Sequence, residues 1–194
     1  MTNTHGIFVT SGASNHAQND RSRNDLYTTD PQALERLLAV EQFSHRVWEP
    51  ACGLGHLSEV LRAHGHEVFS SDITDHGYSR LNRIMDFLGE LENSPSECDI
   101  ITNPPYSQAL EFAERSLELI SPGHRVCLFL RLQFLEGKKR REFFRNSPPK
   151  TVYVFPDRMN CINPFGVNQK QSAIAYAWYI WEKGFKGEPV IRWL

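Results

Sequence analysis

Three features of the sequence predict an α/β fold: a doubly wound, mostly parallel sheet with an antiparallel C-terminal strand pair. Short apolar runs alternate with amphipathic helical segments from residue 31 to residue 150. The runs RVWEP, EVFSSDI and DIITNPP end in polar or turn-forming residues, as strands do at a ligand-binding sheet edge. The tail then carries three strand-like runs, TVYVFP, AIAYAWYIW and PVIRWL, with no helix between them.

Residues 1–24 are polar, rich in Ser, Asn, Thr and Gly, and lack apolar periodicity, so they read as a flexible arm. Residues 25–194 read as a single domain. Thr29-Asp30-Pro31 is a helix-start signal, with Leu34, Leu37 and Leu38 following at helical spacing. RVWEP is a strand that runs into the turn ACGLG. HLSEVLRAHG places Leu57, Val60 and Leu61 on one helix face and Gly65 at its C-terminus. EVFSSDI and DIIT are the next strands. SQALEFAERSLELI carries a helical stripe of Leu110, Phe112, Ala113, Leu117 and Ile120, closed by Ser121-Pro122-Gly123. RVCLFL is a buried strand and KKRREFFRN a short basic helix. Residues 157–172 form a long irregular insertion between strands, a kind of loop usually functional or disordered. Tyr176, Trp178, Tyr179 and Trp181 are expected to pack the sheet faces.

Apolar residues make up 40% and charged residues 23% of the 194, a composition that excludes disordered and fibrous classes. No window approaches ~18 uninterrupted apolar residues, the length of a membrane-spanning helix. The first residues lack the features of a secretory signal. The four cysteines stand far apart with no C-x-x-C pair, which argues against zinc and disulfide frameworks and for a cytoplasmic, thiol-reduced protein. The spacing of His64, His66 and His76 matches no zinc pattern, and Cys52 reads as a small packing residue. No metal is expected.

The net charge of -2 hides a split. Residues 131–194 hold 12 Lys/Arg against 5 Asp/Glu, a balance of +7, while residues 1–130 stand at -9. The steepest stretch, residues 131–150, has seven basic and two acidic residues. It suits either a polyanionic partner such as nucleic acid or a solvated helix face.

Three motifs carry chemistry. In EPACGLG, Gly53 and Gly55 permit a tight turn and close ligand approach, and Glu49 is expected to point its carboxylate into the crevice at the sheet edge. His56-Leu57-Ser58 after Gly55 departs from the dinucleotide fingerprint, and two glycines alone also suit a plain strand-to-helix turn. Asp72 ends the next strand, 17 residues beyond Gly55, where an acid either accepts from ribose hydroxyls or caps a turn. The tetrapeptide Asn103-Pro104-Pro105-Tyr106 makes a stiff projection, because both prolines fix φ and lack an N–H. The Asn103 amide and the Pro104 carbonyl are then placed to accept from one amino group, with the Tyr106 ring at the pocket mouth.

These motifs in this order resemble the class I S-adenosylmethionine-dependent methyltransferases of the amino-group type, which have a Rossmann-like fold. The chain looks most like N6-adenine DNA methyltransferases, particularly the compact phage and prophage ones, over residues 25–194. RLQFLEGKKRREFF, FPDRM, YAWYIWEKGFKGEPVIRWL and DLYTTDPQALERLL add to the resemblance. It implies that Tyr27 and Thr28 contact the cofactor's methionine carboxylate, and that Glu49, Ala51, Gly53 and Gly55 line its amino and sulfonium end. It assigns Asp72 to the ribose, Ile73 to the adenine ring, and Asp86 and Phe87 to the adenine amino group and edge. Asn103, which also lies near the sulfonium, would hold the target base with Pro104, Pro105 and Tyr106. Lys138, Lys139, Arg140 and Arg141, with Arg158 in the insertion, are the candidate nucleic-acid contacts. The larger relatives carry a target-recognition domain for which this chain has no room. DNA is the expected partner. RNA adenine, a protein glutamine amide and a non-catalytic nucleic-acid-binding role are the alternatives.

Overall fold

The computed structural model describes residues 28–159, 161–162 and 174–194. The N-terminal arm, Tyr27 and most of the insertion lie outside the described residues.

Among the described residues, ten strands and four α-helices follow in order as β1 (Thr28–Thr29), α1 (Pro31–Leu38), β2 (Arg46–Glu49), α2 (His56–Ala63), β3 (Glu67–Asp72), β4 (Arg83–Ile84) and β5 (Asp99–Thr102), then α3 (Ala109–Leu119), β6 (Arg125–Arg131), α4 (Arg140–Asn146), β7 (Thr151–Val154), β8 (Cys161–Ile162), β9 (Tyr176–Glu182) and β10 (Val190–Trp193). Eight strands form one sheet in the order β10-β7-β9-β6-β5-β2-β3-β4. Strands β6, β5, β2, β3 and β4 run parallel, as do β7 and β10. The antiparallel character comes from β9, which is inserted between β6 and β7 and opposes both. Strand β10 adds parallel to β7 at the outer edge. β1 and β8 pair as a separate antiparallel ribbon, with Thr28 opposite Ile162 and Thr29 opposite Cys161. The two-residue strands β1, β4 and β8 were not anticipated, because so short a pairing leaves no periodic signal.

The helices form where the capping chemistry allows. Asp30 caps α1 by accepting from Gln32 N at 3.0 Å, and Pro31 occupies the first turn, where its missing N–H costs nothing. Ala33, Leu34 and Leu37 are buried beneath it. In α2 the buried face is Leu57, Val60 and Leu61, as the spacing predicts. In α3 it is Ala109, Phe112 and Ala113, with Leu110 and Leu117 half-buried.

Period-two alternation divides the sheet into two cores. Val47, Ile101, Cys127, Phe129, Trp178 and Ile180 face α1 and α2. Trp48, Ile100, Val126, Leu128, Tyr179 and Trp181 face α3 and α4. The aromatic run of β9 is therefore packing on both faces. Its Trp178 also donates from Nε1 to Ala33 O at 2.8 Å in a buried bond that ties the sheet to α1.

Trp178→Phe is expected to lower unfolding free energy by about 1–3 kcal/mol, since it removes a buried hydrogen bond and opens a small void. Urea denaturation of the two proteins measures this.

Candidate functional site

Chain direction places the site. From β2 the chain winds outward through α2 to β3 and β4, then returns to β5 on the other side of β2. α2 packs on one face of the sheet and α3 on the other. The gap between the carboxyl ends of β2 and β5 is thus a topological switch point, where open α/β sheets bind ligands. The EPACGLG turn leaves β2 at this gap, the Asn103–Tyr106 tetrapeptide leaves β5, and Asp72 ends β3 on the far side of β2. With strands ~4.8 Å apart, all three groups stand within about 10 Å across the sheet.

The glycine turn is held from below and from the side. Gly53 (φ +52) and Gly55 (φ +81) take left-handed conformations that a side chain would strain. Gly55 has a second reason to lack a Cβ, which would stand 2.3 Å from the Tyr78 ring. Tyr78 is anchored through its hydroxyl to Glu59 Oε1 at 2.5 Å. Gly53 N donates to Asp72 Oδ2 at 2.8 Å, so Asp72 braces the turn. Asp72 Oδ1 accepts from Thr74 N at 3.1 Å and lies 3.6 Å from His76 Nε2. A carboxylate has about four acceptor positions, so Asp72 retains capacity for hydroxyl donors at the edge. Ile73 beside it is 65% exposed.

Glu49 departs from the expected carboxylate aimed into the crevice. It is 2% exposed and turned under the glycine turn, where Oε2 accepts from Ser58 Oγ of α2. Ser58 Oγ also lies 2.6 Å from Ser70 Oγ, which accepts from Arg62 at 3.2 Å. Burial is the main reason that the Glu49 carboxyl is pushed up to about 8; hydrogen bonds from Ser58 and the Arg62 charge oppose the shift, and Asp72 adds to it. Cys52 is buried within the turn and its thiol is raised, first by burial and then by Glu49 and Asp72. This agrees with a packing role. Ala51 is half-buried. Phe87 also differs from expectation: at 2% exposure it is wedged between Trp48 and Phe112, with centroids at 5.1 and 4.9 Å. Its neighbour Asp86 is exposed and accepts from Leu88 N at 3.0 Å.

At the β5 end, Asn103 Nδ2 donates to Thr29 Oγ1 at 2.9 Å. The bond fixes the amide plane, with the acceptor Oδ1 on the other side. Pro104 is buried, while Pro105 and Tyr106 are half-buried. Thr29 escaped the sequence reading, although its neighbour Thr28 was singled out. The β1–β8 pairing that brings it over β5 has no local signature. Ser58 and Tyr78 owe their roles to contacts with Glu49 and Glu59, 9 and 19 residues away along the chain.

The basic run is divided among three environments. Lys138 and Arg141 line a shallow cavity of about 490 Å³ together with Arg145, Leu135, Gly137 and Phe144. Lys139 lines a separate cleft with the carboxylates of Glu114, Glu118 and Glu142. Arg140 differs from the expected phosphate contact. Its guanidinium donates to the carbonyls of Phe134, Gln133 and Glu136 and lies 5.0 Å from the Phe134 ring centroid. Arg158 is exposed. Among the described residues no cluster of three or more His, Cys, Asp or Glu could hold a metal, and no helix is long and apolar enough to cross a membrane. His64 lies 2.5 Å from Glu35, and His66 2.9 Å from Ser44 O.

No protein-family model and no curated protein sequence matches the chain. Solved structures do. A Listeria monocytogenes protein assigned to the class I S-adenosylmethionine-dependent methyltransferases superposes with a TM-score of 0.56 at 15% identity, over 84% of this chain and 62% of its own. PH1948 from Pyrococcus horikoshii, assigned as an RNA methyltransferase, gives 0.54 at 16% identity, over 79% and 81%. A modification subunit assigned to a type I restriction enzyme of Vibrio vulnificus gives 0.52 at 17%, over 88% and 47%. The chain thus spans less than two thirds of the Listeria and Vibrio proteins. The architecture is the Rossmann-like fold of class I methyltransferases.

Glu49 sets a pH dependence. Between about pH 4.5 and 8 the folded protein keeps the Glu49 proton, while the unfolded chain, with its ordinary pKa of 4.5, releases it. Stability therefore falls as pH rises through this window, by up to a few kcal/mol, and levels off above it. Glu49→Gln is expected to flatten that part of the curve, as urea midpoints at pH 5 and pH 8 would show.

Proposed function

We propose that the chain transfers a methyl group from S-adenosylmethionine to the N6 amino group of adenine in DNA. The observation that carries this reading is the meeting of the glycine turn, Asp72 and the Asn103–Tyr106 tetrapeptide at one switch point. The cofactor would supply an electrophilic methyl group on a sulfonium. Asp72 and the exposed Ile73 are suited to its ribose and adenine, with exposed Asp86 as a further acceptor. The turn, including Ala51, Gly53 and Gly55, and Thr28, with Tyr27 beside it in sequence, would receive the methionine end. Glu49 acts beneath the turn as its neutral, hydrogen-bonded support.

An adenine amino nitrogen is a poor nucleophile because its lone pair is delocalised into the ring. Asn103 Oδ1 and the Pro104 carbonyl, both accepting from that amino group, draw it towards tetrahedral geometry and localise the pair. The rest is placement and electrostatics. The transferred methyl replaces one amino proton, which leaves to solvent. A base must leave the duplex to reach the tetrapeptide, and contact with Tyr106 offsets part of the unstacking cost. RNA adenine is the second reading, favoured by the likeness to PH1948, a protein assigned as an RNA methyltransferase.

The test is incubation with methyl-labelled cofactor and DNA or RNA oligonucleotides of equal adenine content, followed by nucleoside chromatography. Label is expected in N6-methyldeoxyadenosine. Asn103→Ala is expected to lose at least a hundredfold in turnover with an unchanged circular dichroism spectrum; wild-type turnover in that variant would overturn the mechanism.

Lys138, Arg141 and Arg145 are proposed as sequence-independent phosphate contacts. Changing all three to Gln should flatten the slope of log affinity against log salt by about 0.9 per lost contact for duplex DNA, or 0.7 for a single strand. Cofactor affinity, read by calorimetry, should stay the same.

A further inference from the structure

We propose that Arg131 anchors the phosphodiester adjoining the base held at the Asn103–Tyr106 tetrapeptide. The inference rests on the nucleic-acid methyltransferase reading of the site and adds to it a residue outside the signature motifs.

Arg131 is the last residue of β6, the strand beside β5. In their parallel register Thr102 stands opposite Leu128, so Arg131 reaches past the end of β5, to the level of the tetrapeptide. Alternation along β6 puts its side chain on the face of Cys127 and Phe129. The guanidinium carbon lies 4.9 Å from the centroid of the Tyr106 ring. Across the ladder Arg131 pairs with Tyr176, whose ring is 5.8 Å from that of Tyr106. The backbone here is pinned: Tyr179 Oη donates to the carbonyls of Arg131 and Leu132, and Leu132 N donates to Ala175 O at 2.8 Å.

Among the described residues Arg131 lacks the carboxylate or carbonyl partner that several other arginines have. Arg125 is paired with Glu41 and Glu182, Arg36 with Asp157, and Arg62 and Arg140 bond backbone carbonyls. Among the described residues no carboxylate lies within ion-pair distance of Arg131, and its Nε is buried without a hydrogen-bond partner. A permanently charged group so placed carries a desolvation cost that an anion would offset. The guanidinium fork matches two phosphate oxygens, and a nucleotide's phosphates lie one sugar away from its base. A base held beside Tyr106 brings such a phosphate within reach of Arg131. The cationic cavity on α4 belongs to the opposite core face, where Phe143 and Phe134 are buried, so it would contact a different part of the strand.

The experiment uses a pentanucleotide with one deoxyadenosine between pairs of thymidines. The phosphate on the 5′ or the 3′ side of the adenosine is replaced in turn by a neutral methylphosphonate. Fluorescence anisotropy gives Kd, and labelled cofactor gives kcat and KM. For the wild-type protein one of the two replacements should weaken binding about tenfold. Arg131→Gln should weaken binding of the natural pentanucleotide by a similar factor and show no further loss with that methylphosphonate. Arg131→Lys should recover part of the affinity, and free adenosine should be methylated equally by all three proteins. Additive losses in Arg131→Gln and the methylphosphonate, or an equal defect on free adenosine, would overturn the proposal and leave Arg131 as a prop for Tyr106. Wild-type protein that methylates no nucleic acid at all would remove the underlying reading, and this inference with it.

Discussion

A parallel sheet that buries both faces has polar chemistry to offer only at its strand ends, and this constraint governs the molecule. α1 and α2 cover one face and α3 and α4 the other, and β2, β3, β5 and β6 lie between them with most of their residues buried. Most groups proposed to touch the cofactor or the target base are therefore at, or just past, the carboxyl end of a strand, whereas the proposed phosphate contacts Lys138, Arg141 and Arg145 lie on and just before α4. The order in which the strands are laid down does the rest: the chain reverses its direction of winding at β2, and the helices on either side of that reversal part to leave a crevice.

Beneath the crevice lies a buried polar layer that the motifs do not advertise. Glu49, Ser58, Ser70 and Arg62 form a hydrogen-bonded chain from the end of β2 through α2 to β3. Its carboxyl is kept neutral far into the ordinary carboxylate range chiefly by desolvation. A neutral acid can serve there as a hydrogen-bonding strut without the cost of a buried charge. Asp72, buried at the same edge, braces the turn through Gly53 N and accepts from Thr74 N with its other oxygen. Two acids that look equivalent along the chain thus stand in different settings, one turned to Ser58 of α2 and one bonded to the backbone of the glycine turn.

The basic segment shows a similar division. Consecutive cations on a helical turn point about 100° apart, so four of them cannot share one surface. Lys138 and Arg141, three apart, share a cavity and are joined there by Arg145, four further on. Lys139 lies among glutamates, and Arg140 is spent on the carbonyls of the preceding turn. Net charge by stretch overstated the number of cations available to a polyanion.

The sequence by itself determined the order and type of the main elements, the glycine turn, Asp72 and the tetrapeptide. Each of these rests on local physics: apolar period, the N-cap at Asp30, the fixed φ of Pro104 and Pro105, and the freedom of Gly53 and Gly55. Only the tertiary structure decided where side chains pointed. It turned Glu49 inward because Ser58 waits on α2, and buried Phe87 because Trp48 and Phe112 close around it. It brought Thr29 to Asn103 from 74 residues away and set Arg131 over Tyr106. Those outcomes depend on which strands become neighbours, and strand order is a property of the packed chain that no window of sequence contains.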